Sequence, residues 1–195
     1  MKYSEEEIES LKDDPVFLDS LQKRESEAFE EQNILKLYDV LDTYLLIEKG
    51  SDELINKLYE NILELALDKL SHKLQNRETC SLDNDEEHIT LRAIYEYAIE
   101  HYSTDRLSEA SELFLMLSIL TENRTFTGAM QIHLVATLKG INFDKFLDDF
   151  VDMDMMDNSD ESYFLLYFKD SANKFLHENS ELITKAVKEM KTVQR

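Results

Sequence analysis

Asp148-Asp149-Phe150-Val151-Asp152 spells D-D-x-x-D. On a helix, Asp148 and Asp152 share a face with Asp149 one position round. Carboxylates so placed can hold Mg²⁺ against a diphosphate. That chemistry also needs a second acidic motif and a basic clamp, and neither accompanies it. In a chain with 42 Asp+Glu the spacing arises readily, so the expectation is solvated surface charge, with a Mg²⁺-dependent all-α enzyme as the remote alternative. Asp152–Glu161 invites a Ca²⁺-loop reading. The pattern fails, because Asp157 stands where the sharp turn needs Gly and Tyr163 where the loop needs its closing Glu. His72, His88, His101, His133 and His177 form no i, i+4 pair and no Glu-x-x-His, so each reads as a surface or half-buried helix residue rather than a ligand. Cys80 is the single cysteine and has no internal disulfide partner. Its acidic, polar neighbours disfavour a thiolate. There is no nucleophile elbow and no Gly-rich phosphate loop. The residues call for no catalytic site, no metal and no cofactor.

The elements that would position any site must be helices. Gly is 3 and Pro is 1 among 195 residues, far too few for the turns of a sandwich, barrel or doubly wound sheet. The 43% hydrophobic content supports a real core. The net charge of −21 repels phosphate backbones and anionic lipid heads, which excludes generic nucleic-acid binding. The acidic N-terminus and the short apolar runs predict no signal segment, no membrane insertion and a cytoplasmic protein in a reducing compartment.

Ser4-Glu5-Glu6-Glu7 has capping-box form, and Asp14-Pro15 suits an N-cap followed by a first helical residue. Apolar residues at three- and four-residue spacing predict helices over 32–48 and 52–75, an antiparallel hairpin with Gly50 as the residue after the first helix. Gln75–Asp85 is polar and aperiodic. It divides the chain into an N-terminal helical subdomain (1–76), a protease-sensitive linker (77–85) and a C-terminal helical subdomain (86–195). In the last part, helices are expected around 94–102, 107–119, 130–138 and 143–150. A Met-containing acidic loop follows at 153–160, and a helix opens at Tyr163, Phe164, Tyr167 and Phe168. Seven to nine helices result.

Shifted by 36 positions, Ala98 falls on Leu134, Leu107 on Phe143, Ala110 on Phe146 and Phe114 on Phe150. A two-helix unit of that period is tetratricopeptide-like. Within Ile94–Leu120, residues Tyr95, Ala98, Tyr102, Arg106, Leu107, Glu109, Ala110, Phe114 and Leu117 resemble the first full repeat of the tetratricopeptide chaperones of bacterial type III secretion. The family's corner usually has Gly where this chain has Asp105, and Leu134 and Phe146 stand where small residues are usual.

The fold expectation is therefore all-α, a helical hairpin followed by a tetratricopeptide-like array. The resemblance implies a non-catalytic chaperone or regulator that holds an apolar segment of a secretion substrate in a concave groove. In such an array the first helix of each unit faces the groove, which designates Tyr95, Ile99, Tyr102, Gln131, Val135 and Leu138 as partner-binding residues. Met153, Met155 and Met156 lie just beyond. The partner is a protein or peptide, and a homodimer is compatible with the same reading. The alternative is a helical adaptor that binds a folded partner through the 32–75 hairpin.

Overall fold

The computed structural model describes residues 4–157 and 163–193. They form eleven helices and no β-strand. These are α1 (Glu5–Lys12), α2 (Pro15–Glu31), α3 (Ile34–Leu46), α4 (Asp52–Asn76), α5 (Asp85–Ser103), α6 (Leu107–Ile119), α7 (Arg124–Leu138), α8 (Phe143–Phe150), α9 (Met153–Asp157), α10 (Asp170–Glu178) and α11 (Ser180–Val193). The all-α expectation holds. The count exceeds the expected range, in part because Met153–Asp157, expected to open an acidic loop, is the short helix α9.

Local chemistry sets most helix starts. Ser4 and Glu7 form the capping box, and the Asp14 carboxylate accepts the Val16 N–H ahead of Pro15. Asn33, Ser51, Asn84, Asn123 and Asn142 each cap the helix that follows with a side-chain oxygen. Gly140 takes φ +70° after α7. At the α3–α4 corner the left-handed residue is Glu48, with φ +53°, and not Gly50. Gly50 serves close approach instead, since a Cβ there would stand 2.6 Å from Ile55 Cδ1. Asp105 adopts φ +59° at the α5–α6 corner, a conformation that Asp tolerates better than most residues with a Cβ.

Helices α2 to α5 pack in succession, and α3 also touches α5. Helices α5 and α6 form the tightly packed pair that the repeat pattern predicts. The next unit departs from it: α8 lies against α5 and α10, while α7 packs chiefly on α6. One buried cluster runs from Leu21 to Ala172 on both sides of 77–85. That stretch is pinned: the Cys80 N–H donates to the Leu120 carbonyl, and the Ser81 N–H donates to Glu87. Cys80 itself is buried. Polarity here reflects side chains at the surface and not a backbone without partners.

Residues 163–169 are not helical. The Asp152 N–H donates to the Tyr167 carbonyl at 3.0 Å and the Lys169 N–H to the Phe150 carbonyl at 2.8 Å. Val151 and Phe168 form an antiparallel bridge. Backbone groups that a helix would satisfy internally are met by tertiary partners instead, so the segment runs extended until α10. Residues 158–160 of the expected acidic loop lie outside the described residues.

Candidate functional site

The six residues expected to form one apolar trough part company. Tyr95, Tyr102 and Val135 are buried. Ile99 is partly buried against the core, and Gln131 is half-buried. Leu138, 44% exposed, lines a separate depression of about 430 Å³ between α6, α7 and α11.

The trough is filled by the chain itself. Phe164 stacks on His88 at 5.4 Å and meets Tyr95 at 5.2 Å and Phe126 at 5.0 Å, edge to face in both cases. Tyr102 sits among Phe114, Phe143 and Phe146 and donates its hydroxyl to the Ile141 carbonyl at 2.9 Å. A polar chain crosses this aromatic interior. The Leu165 N–H donates to the Tyr95 hydroxyl at 3.0 Å. That hydroxyl lies 3.3 Å from His133 Nε2, and His133 Nδ1 lies 2.8 Å from the Ala129 carbonyl. Nδ1 must therefore carry the proton, and Nε2 accepts from Tyr95. Burial holds His133 down to about 4, opposed by its bond to Ala129. The expectation of a surface or half-buried His133 is corrected: it is fully buried.

The D-D-x-x-D geometry also fails. α8 ends at Phe150 and Val151 is extended (ψ 134°), so Asp152 leaves the helical face of Asp148. Asp152 caps α9, accepting the Met155 N–H at 3.1 Å. Among the described residues, no three His, Cys, Asp or Glu side chains converge so as to hold a metal ion. Burial pushes the Cys80 thiol up, and Glu87 adds to the effect. Met153 and Met155 are exposed, and Met156 packs against the core.

A different surface is open. Between α4 and α5 runs a groove of about 730 Å³. α4 contributes Asn56, Tyr59, Glu60 and Leu63, and α5 contributes Ala93, Glu96, Tyr97 and Glu100. Both sets follow i, i+3, i+4, i+7, the spacing of one helical face. Tyr38 from α3 and Ile62 close the floor, and both are buried. Tyr59 is 41% exposed on the rim.

Beside the floor lies a charged hub that the sequence reading missed. Arg92 is 6% exposed. Its guanidinium donates bidentately to Asp42 at 2.7 Å and through Nε to Glu96 at 2.7 Å. It is sandwiched between the Tyr38 ring at 4.2 Å and the Tyr163 ring at 3.9 Å. Glu96 also accepts the Tyr38 hydroxyl at 2.8 Å. The hub thus joins α3, α5 and the extended segment. Glu96 is therefore a structural residue as well as part of the groove wall. The available signal was Arg92–Glu96 at i, i+4, a cation within an apolar stretch of a strongly acidic chain.

Compared with models of known protein families, with curated proteins and with solved structures, the chain matches none.

Proposed function

We propose that this protein is a non-catalytic binding module that receives a segment of a partner protein in the groove between α4 and α5. The observation that carries the reading is the pairing of two i, i+3, i+4, i+7 stripes over an apolar floor, with no described residue covering them. Grooves of that form suit a helix laid between two helices. Most of the lining residues belong to the 32–75 hairpin, so the adaptor reading fits the open surface better than a concave trough at 95–138 does. In its support, no described helix is long and apolar enough to cross a membrane, and a partner would be met by a water-exposed face.

A second reading, a chaperone for an extended secretion substrate, draws on the Ile94–Leu120 resemblance and on one further observation. An extended, aromatic-bearing segment already lies against Tyr95 in cis. A substrate would have to take the place of residues 163–168.

Photocrosslinking in the native host separates the two. A benzophenone amino acid at position 59 or 97 should give a discrete partner adduct. The same group at position 99 or 131, designated trough residues that are only partly buried, should give none. Adducts at 99 or 131 with none at 59 and 97 would reverse the order of the two readings.

A further inference from the structure

We propose that the α4/α5 groove takes a cationic amphipathic helix, its apolar edge on Leu63 and the tyrosine rings, its Lys or Arg side chains on Glu60 and Glu100. The inference rests on the reading of this groove as the binding site and adds the chemistry of the occupant.

The wall chemistry is one-sided. Ten of the described residues line the groove, among them three Glu and three Tyr and no Lys, Arg or His. Burial and then Glu96 hold the Tyr59 phenol above its ordinary range, as expected where the local field is negative. Tyrosine faces attract cations, and a carboxylate beside them strengthens the site. The floor of the groove already shows this recognition in cis: the Arg92 guanidinium is seated on the Tyr38 ring and bonded to Glu96. Glu96 is committed to Arg92 and to the Tyr38 hydroxyl. Glu60 and Glu100, on opposite walls, are the carboxylates available to a newcomer. Glu100 meets Arg106 at 2.8 Å, but both side chains are exposed, and such a pair exchanges at little cost.

The geometry favours a helix over an extended strand. Two helical walls offer side chains and no row of unpaired backbone groups, so an occupant must satisfy its own backbone. A stripe of seven helical steps is about 10 Å long, so the occupant contacts the groove over about two turns. The net charge of −21 draws a cationic partner in.

The test uses the full chain and three helix-stapled peptides of about 14 residues, long enough for the contact just described. All three share one leucine stripe; their polar faces carry Arg, Gln or Glu. Amide chemical-shift mapping locates binding, and fluorescence anisotropy measures it. The Arg peptide is expected to perturb residues of α4 and α5 around 56–63 and 93–100. Its Kd should weaken about tenfold in Glu60→Gln/Glu100→Gln and about tenfold again between roughly 50 and 300 mM salt. Glu27→Gln/Glu30→Gln on α2, which removes the same charge elsewhere, should leave Kd within about twofold. If the Gln or Glu peptide occupies the groove as tightly, the cationic claim is wrong while the groove reading stands. If the Arg peptide spreads its shifts over the acidic surface, or the α2 pair weakens it equally, binding is nonspecific charge attraction and the inference is wrong. Spermine perturbing the same residues as strongly as the Arg peptide would likewise overturn the helix claim. Crosslinks absent from positions 59 and 97 in the host would instead remove the groove reading itself.

Discussion

α5 divides two environments. Toward α7 its residues Tyr95 and Tyr102 meet aromatic rings and a backbone that the chain supplies. Toward α4 its residues Glu96, Tyr97 and Glu100 line a groove that no described residue covers. Both faces carry tyrosine within a stripe of helical spacing, so spacing and aromaticity do not distinguish a binding face from a core face. What distinguishes them is the source of the covering atoms. Residues 163–168 can fold back onto α5 and α7 because their backbone finds partners at Tyr95, Val151 and Asp152. A binding surface is better sought where side chains of one charge sign line an apolar floor.

The largest effect should come from the filled side. Phe114→Ala and Tyr102→Ala each remove a fully buried ring and should each cost about 3–5 kcal/mol in urea unfolding. A groove residue, as the tetratricopeptide-like reading makes Tyr102, would cost less than a core residue such as Phe114. Near-equal losses establish the core assignment. A Tyr102→Ala loss below about 1 kcal/mol would return it to a surface role.

Arg92→Met tests the hub that stands between the two faces. It strands Asp42 and Glu96 and removes the cation between two rings, and breaking a buried pair costs about 3 kcal/mol. Asp42 is 40% exposed at its side chain, so water relieves part of this and about 2 kcal/mol is expected. Glu96→Ala should lose about half as much, since Asp42 still holds Arg92. A neutral Glu96→Ala would mean that the hub is not cooperative.

Much of this architecture could be read from the chain. The scarcity of Gly and Pro dictates helices, and the Ser4 and Asp14 caps mark two of their starts; the Asn caps of four further helices carry the same signal. Local signals fail where tertiary partners decide. Tyr163–Phe168 has apolar spacing compatible with a helix, yet Val151 and Tyr95 draw it into an extended path. The polar stretch 77–85 looks like a linker because its side chains face water, while the Cys80 backbone is tied to Leu120. Of the candidate site only part is legible: the sequence offers the Tyr95–Tyr102 face and, as an alternative, the 32–75 hairpin; the first is buried in the fold, and nothing in the spacing singles out the part of α5 that lies beside α4. Helical periodicity identifies a face and not its neighbour.

His133 gives the comparison a pH axis. Its folded-state value is about 4, because burial disfavours the charged ring, against about 6.5 in the unfolded chain. The unfolded state therefore binds the proton first. Stability is fully present above about pH 6.5 and is lost as pH falls toward 4, by about 2 kcal/mol between pH 8 and 5. His133→Gln changes the absolute stability, but its loss over that interval should be smaller than the parent's by about this amount. Protonation also disrupts the Tyr95 bond, so exchange of the Leu165 amide should quicken as the parent is acidified. Parallel pH curves for parent and variant would show that the buried ring is not what resists the proton.

The mildest loss of a ring belongs to the open side, and there it is most informative. Tyr59 is 41% exposed, so Tyr59→Ala removes only part of a buried ring and a loss of about 1 kcal/mol is expected, a fraction of the Tyr102→Ala loss. Aromatic anchors at the rim of a groove commonly carry about 2 kcal/mol of affinity. The variant should therefore stay folded, with the parent's unfolding slope, yet bind the Arg peptide roughly thirtyfold more weakly, the equivalent of that energy. The two faces would then separate cleanly: on one, ring removal destroys the fold; on the other, it leaves the fold and removes the partner. If Tyr59→Ala instead destabilises the chain by about 3 kcal/mol or more, the α4/α5 surface contributes to folding as the α7 side does, and the contrast on which the binding assignment depends is lost.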